Sequence, residues 1–418
     1  MNRNKSSIGK SILSIGALAV IFFAGWALAA NIWSPELVYQ HESTSTPAAV
    51  AIAQETTTET TEPEVAEEET PITLPAVEGN TDHIKTPATV KAVYMSQCLV
   101  GAPGLRASLV DFIEKSELNA VVIDIKDSTG GIAFPTDDPL LSPYVSTNCG
   151  AYDMKEFVAS LHKKGIYVIG RITVFQDPTY ARAHPSSAVQ SVHGGMWKNY
   201  GGLAFVDVGS KLFWDYIIRL SEISYRQIGF DELNYDYIRF PSDGPLKEAV
   251  YTHSKDKTKV AALEAFFEYL HTKVQPEGSV VGENAPVISA DLFGMASSHY
   301  DDLGIGQVLE NALPYFDYIA PMVYVSHYPK GFNGYERVND HVYDIVYSEM
   351  KKASARAKAA GFAETKIRPW LQSFDYPVAY TPAKIEEQLK ALHDAGLESY
   401  VFWDAANKYT SLREVLQR

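Results

Sequence analysis

Within Gly229-Phe230-Asp231-Glu232-Leu233-Asn234-Tyr235-Asp236-Tyr237-Ile238-Arg239-Phe240-Pro241, the run from Glu232 to Tyr237 alternates strictly between polar and apolar side chains. Leu233, Tyr235 and Tyr237 share one face of an extended strand, and Glu232, Asn234 and Asp236 share the other. A strand of this kind packs its apolar face against helices and turns the opposite face inward. In a barrel of parallel strands the inward face lines the lumen, and a carboxylate near its C-terminal end is where barrel enzymes keep their chemistry. Asp236, followed by Arg239 and closed by Pro241, reads as such an end. The competing reading is a buried Asp–Arg ion pair that serves structure alone.

Working outward, strand-like runs recur at Ala92–Ser96, Ala120–Lys126, Tyr167–Thr173, Glu232–Arg239, Val287–Asp291, Tyr318–Val323, Arg368–Gln372 and Ser399–Trp403. Helical patterns lie between them at Gly104–Ser116, Met154–Lys164, Ser210–Ile228, Lys257–Lys273, Asn339–Ala360 and Pro382–Ala395. Gly165, Gly361 and Gly396 each stand just past a helix and before a strand, the expected C-terminal stop. Eight strands with helical crossovers predict an α/β chain, a (β/α)8 TIM barrel. A doubly wound sheet is the alternative. No glycine-rich phosphate turn follows the first strand, which speaks against nucleotide binding.

The barrel does not begin at the N-terminus. Arg3, Lys5 and Lys10 precede an apolar run from Ser11 to Ala30, long enough to cross a bilayer. Ala27-Leu28-Ala29 also fits a small-x-small cleavage rule, so a cleaved signal peptide competes with an uncleaved transmembrane anchor. Both place the remainder outside the cytoplasm. Residues 31–89 are rich in Thr, Glu and Pro, lack apolar periodicity, and read as a disordered acidic linker or stalk. The expected division is therefore 1–30 signal or anchor, 31–89 linker and 90–418 barrel, with no tertiary contacts before about residue 85.

Composition narrows the function. An apolar fraction of 46% and an aromatic fraction of 12% over 418 residues suffice for one large core. The 25 Tyr and 6 Trp suit sugar-stacking clefts as well as they suit a core. A net charge of −15 argues against a nucleic-acid partner and against docking on anionic lipid, and no metal-ligand spacing is present. No cofactor or metal is expected, and the chain reads as a monomer. Two cysteines, Cys98 and Cys149, fall in the loops after the first and second strands. Outside the cytoplasm an even count invites a disulfide between them.

Charged residues gather at C-terminal strand ends: Asp124 and Lys126 on the second strand, Arg171 on the third, Asp291 on the fifth, Trp403-Asp404 at the exit of the eighth. Convergence from four strands points to a site. A structural polar plug of the barrel mouth is the plainer alternative.

Four segments carry a resemblance. Val122–Asp127 with Gly130-Gly131, Phe230–Pro241, Ser289–Gly294 and Asp317–Tyr324 together resemble a bacterial family of glycosyl hydrolase barrel domains, distant relatives of the α-amylase-like and chitinase-like barrels. The similarity runs from about Val90 to Tyr409 and implies a glycoside hydrolase fold. The strand also resembles the chitinase pattern Asp-x-x-Asp-x-Asp-x-Glu through Asp231, Asn234 and Asp236, but Ile238 stands where the acid would be. The amylase-like comparison implies Asp236 as nucleophile and Asp291 as acid. The implied activity is hydrolysis of O-glycosyl bonds in a wall, capsule or environmental polysaccharide by a two-carboxylate mechanism.

Arg239 is expected to lower the pKa of Asp236, and the two carboxyls to lie within about 10 Å. Asp124, Lys126, Arg171, Asp207, Arg239, Tyr324, His327, Trp403 and Asp404 form the expected substrate-binding shell. Trp370 reads equally as core or ligand contact, Asp207 equally as a turn aspartate. The insertion Gln176–Tyr200 reads as a lid or cleft wall. The alternative function is a non-catalytic polysaccharide-binding barrel anchored at the cell surface.

Overall fold

A computed structural model describes residues 76–79 and 81–417. The proposed signal segment 1–30 and most of the acidic linker lie outside the described residues. Among those described, no helix is long and apolar enough to cross a membrane.

Eight parallel strands close into a barrel. They are β1 (Lys91–Met95), β2 (Ala120–Lys126), β3 (Tyr167–Thr173), β4 (Glu232–Asp236), β5 (Val287–Phe293), β6 (Tyr318–Val323), β7 (Trp370–Gln372) and β8 (Tyr400–Trp403). Each is followed by a helix: α1 (Pro103–Glu114), α2 (Met154–His162), α3 (Lys211–Ile223), α4 (Lys259–Val274), α5 (Leu309–Ala312), α6 (Val342–Ala359), α7 (Pro382–Asp394) and α8 (Thr410–Leu416). Strands neighbour in chain order, and β8 pairs with β1 through Val401↔Ala92 to close the ring. This is the expected (β/α)8 barrel.

The period-2 pattern explains the layering. Leu233 and Tyr235 of β4 join Ile123, Val168, Ile288 and Ile319 in the core between strands and helices. Residues of the opposite parity, among them Ala92, Tyr94, Val122, Ile169, Ala320, Trp370 and Val401, form a separate cluster inside the barrel. Gly165 and Gly396 do stop their helices, at φ 72° and 90°, where any Cβ would be strained.

Three local expectations are corrected. First, the linker ends earlier than residue 89. Thr81 Oγ1 donates to Tyr225 O at 3.0 Å, Ile84 N donates to Asp231 Oδ1 at 2.9 Å, and the His83 ring stacks on Tyr225 at 4.0 Å. These residues lie against the N-terminal end of β4, where Asp231 also accepts from Val168 N at 2.9 Å and contacts His162 Nε2 at 3.0 Å.

Second, β4 stops at Asp236 instead of running to Arg239. Tyr237 takes a left-handed φ of 51°, and its N–H turns back onto Asp236 Oδ1 at 2.6 Å. Third, β2 carries a one-residue irregularity: Asp124 pairs with Arg171, yet Lys126 pairs with Ile172. An extra residue inverts the facing of everything beyond it.

Candidate active site

The lumen is polar along one side. At its lower level Arg368 makes a buried double contact with Glu232, which also accepts from Ser289 Oγ at 2.6 Å and Tyr167 OH at 3.2 Å. One level up, Asn234 Nδ2 donates to Ser289 Oγ at 3.1 Å and to Asp291 Oδ1 at 2.8 Å. Above them stand Asp124, Arg171, Asp236 and Asp291. Asp236 lies one step past the last β4–β5 pair, Tyr235↔Ala290, and Asp291 is the matching residue on the adjacent strand.

The two aspartates have unlike surroundings. Asp236 Oδ2 accepts from Arg171 Nε at 3.1 Å and Nη2 at 2.5 Å. Arg171 Nη1 reaches across to Asp124 Oδ1 at 2.7 Å. Burial opposes the charge on this guanidinium, but the Asp236 and Asp124 carboxylates beside it raise its pKa well above the usual value.

Asp291 is 1% exposed. Its Oδ1 accepts from Asn234 and from Trp370 Nε1 at 2.7 Å, while Oδ2 is buried with no partner among the described residues. Burial, then the charge of Asp236, push its pKa well above the ordinary carboxylate range. Burial also raises Asp124, against the pull of Arg171 and of Tyr94, whose hydroxyl donates to Asp124 Oδ2 at 2.5 Å.

An aromatic wall rises from these groups toward the mouth on the β6–β8 side. Trp403 stacks on Tyr324 at 5.5 Å and meets Phe374 edge-on at 5.0 Å; His327 lies 5.6 Å from Tyr324 and 6.1 Å from Tyr376. Tyr324, His327 and Trp403 thus cluster as a shell.

Other expected contacts lie elsewhere. Lys126, turned outward beyond the β2 irregularity, is fully buried in an ion pair of 2.8 Å with Asp177, beside the Phe213 ring. Asp207 is fully buried and holds a loop, accepting from His253 N at 2.8 Å, Gly209 N at 3.0 Å and Ser254 Oγ at 2.6 Å. Asp404 accepts from the backbone of Ala406, Lys408 and Tyr409 at 2.9–3.0 Å, which holds the turn leading into α8. All three are engaged by protein partners in these contacts.

Arg239 makes no ion pair with Asp236, because the left-handed turn at Tyr237 carries it away; Arg171 takes that place. Within the insertion Gln176–Tyr200, Trp197 is buried and donates from Nε1 to Pro245 O at 3.0 Å, which fastens the segment to the β4–α4 loop.

Cys98, in a short helix after β1, is disulfide-bonded to Cys149 in the β2–α2 loop, with Cα atoms 4.4 Å apart. Tyr94 and Asn234 are site residues that the expected shell omits. Both have lumenal parity on their strands, so alternation alone would have flagged them.

Residues 92–409 match the sequence profile of a family described as "Putative glycosyl hydrolase domain". No curated protein matches the sequence. Among solved structures, a hypothetical protein from Ruminiclostridium thermocellum is 28% identical over 51% of this chain and 98% of its own, with a TM-score of 0.42. Alpha-L-fucosidase isoenzyme 2 from Paenibacillus thiaminolyticus is 11% identical, with 78% of this chain and 48% of that one covered and a TM-score of 0.54. The catalytic domain of beta-amylase from Paenibacillus polymyxa is 8% identical, with 79% and 98% covered and a TM-score of 0.52. The last two similarities speak for the barrel fold alone, and this chain spans less than half of the fucosidase.

Proposed function

The chain belongs to the glycosyl hydrolase domain family that its residues 92–409 match, and from that premise we propose that it is a glycoside hydrolase working through Asp236 and Asp291. The observation that carries the reading is the contrast between the two carboxyls. Breaking a glycosidic bond needs one carboxylate that stays ionised and one acid that stays protonated near neutral pH. Arg171 grips Asp236 Oδ2 with two N–H groups, a charge-assisted contact that fixes the orientation of this carboxyl. Asp291 is buried, its pKa is raised, and its unpartnered Oδ2 is the natural seat for a proton.

In the proposed reaction Asp291 Oδ2 gives its proton to the leaving oxygen. Asp236 meets the positive charge that grows at the anomeric carbon, as nucleophile or as stabiliser. Tyr324 and Trp403 supply ring faces for the sugar beside the acid. The substrate is proposed to be a wall, capsule or environmental polysaccharide met outside the cytoplasm, with the chain tethered through its N-terminal apolar segment.

The test is release of reducing ends from a panel of polysaccharides and peptidoglycan fragments by wild type and Asp236→Asn. Hydrolysis by wild type that survives Asp236→Asn unchanged would end this assignment. Retention of a polymer without turnover by wild type would favour the binding-module reading.

A further inference from the structure

Among the described residues the buried arginines have counter-ions, with one exception. Arg219 reaches Asp138 at 2.7 Å, Arg356 reaches Glu310 at 2.5 Å, and Arg368 reaches Glu232. Arg171 holds Asp124 and Asp236. Arg239, only 7% exposed, has no carboxylate in ion-pair contact among the described residues. Nη1 donates to Phe240 O at 3.1 Å and Ser242 Oγ at 3.2 Å, and the Tyr237 side chain is a further polar neighbour that favours the cation. Three rings surround the guanidinium instead: Tyr237 at 4.7 Å, Phe293 at 4.9 Å and Phe205 at 5.9 Å. Asp236 and Asp243 lie near enough to favour the cation but do not pair with it.

Leaving a cation desolvated and unpaired costs stability, and cation–π contacts recover only part of that cost. The location suggests what the arrangement serves. Arg239 stands three residues beyond Asp236, and Phe293 stands two beyond Asp291, so the cage sits between the exits of the two strands that carry the candidate catalytic pair. Both bonds engage Nη1; among the described residues the Nε–Nη2 edge, with Tyr237 beside it, has no carboxylate, and its two parallel N–H vectors match a planar one. A net charge of −15 repels polyanions at long range, so recognition of an acidic ligand here must come from a short-range contact of this kind.

We propose that Arg239 is an anion subsite of the candidate active site, and that the substrate is an acidic glycan whose uronic-acid carboxylate docks on the Nε–Nη2 edge. The inference rests on the glycoside hydrolase reading and specifies its substrate class. The rings around the guanidinium shield the contact from water and would strengthen the charged hydrogen bonds to the carboxylate.

The test measures binding of the full-length chain, by calorimetry, to polygalacturonate, alginate and a glucuronate polymer, each beside its carboxyl-reduced neutral form. At least one acidic member should bind about 10- to 100-fold tighter than its neutral partner, the gain expected of one charge-assisted bidentate contact. Arg239→Gln should erase that difference, and Arg239→Lys should keep part of it, since lysine supplies charge without the fork. The wild-type comparison stands even if a variant misfolds.

Equal affinity for both members of every pair would overturn the proposal, as would a preference that persists in folded Arg239→Gln. An equal gain for a sulfated neutral polymer would overturn the carboxylate assignment. Reducing ends are scored in the same samples. Hydrolysis without charge preference refutes only the subsite, whereas Arg239-dependent binding without any hydrolysis refutes only the glycosidase reading.

Discussion

Trp370 and Asp291 are joined by one hydrogen bond: the indole Nε1–H donates to Asp291 Oδ1 at 2.7 Å, and Asp291 Oδ2 is left buried without a partner among the described residues. With Asn234 on the same Oδ1, the carboxyl is oriented so that its proton has one place to sit. An acid held this way delivers its proton from a fixed atom. Loss of Asp291 should therefore depend on how much protonation the leaving group requires. Asp291→Asn is expected to lose about 10²–10⁴-fold on polysaccharides, and far less on activated aryl glycosides. Steady-state kinetics on both substrate types checks this, and equal losses would make Asp291 a structural residue.

The same bond sets a pH limit. Donation by Trp370 favours the carboxylate and so lowers the pKa of Asp291, against the larger upward push of burial. Trp370→Phe removes that donation, so the pKa should rise. A general acid loses activity as pH climbs through its pKa, and the basic limb of the kcat/KM profile should accordingly move to higher pH. A purely structural role for Trp370 would scale the whole profile down without moving the limb.

Much of this arrangement is legible along the chain, and the exceptions have local causes. Alternation in Glu232–Asp236 is a short-range property, so the lumenal face of β4 can be read directly, as can the glycine stops of α2 and α7. Lys126 cannot be placed that way. One irregular pairing step between Asp124 and Lys126 reverses its side, and no residue type in Ile125 marks the step. Arg239 escapes for a similar reason, because a tyrosine in the left-handed region at position 237 is not what composition suggests. Asp207 and Asp404 look like ligand carboxylates until their backbone N–H partners are known, and those come from loops. The orientation of Asp291, with Oδ1 engaged and Oδ2 left over, depends on Trp370, 79 residues away in sequence. Only closure of the barrel brings them together.

The Cys98–Cys149 bond spans 51 residues and ties the β1 and β2 exits together beside the mouth. Loop-closure entropy of a ring this size corresponds to about 4 kcal/mol of stabilisation. Cys98→Ala with Cys149→Ala, or thorough reduction of wild type, should lower Tm by several degrees. Calorimetric scans with and without reductant measure it, and identical midpoints would mean that the bond constrains nothing the fold does not already hold.

Glu349 offers a stability prediction remote from the site. It lies on α6 with its side chain fully buried. Oε1 is 3.4 Å from Lys352 Nζ, Oε2 has no hydrogen-bond partner among the described residues, and the Ser298 side chain nearby favours the charge only in part. Burial raises its pKa from 4.5 to about 7. Below about pH 4.5 both folded and unfolded states hold the proton, so the group has no effect on stability. Between pH 4.5 and 7 the unfolded chain ionises first and the fold loses stability, reaching a penalty of about 3 kcal/mol that stays constant at higher pH. Glu349→Gln cannot ionise and escapes the penalty. The variant should unfold at the same temperature as wild type near pH 4.5 and several degrees above it at pH 8, with the gap opening through the interval between. A gap of constant size across that range would show that Glu349 is already ionised in the folded protein, held by Lys352.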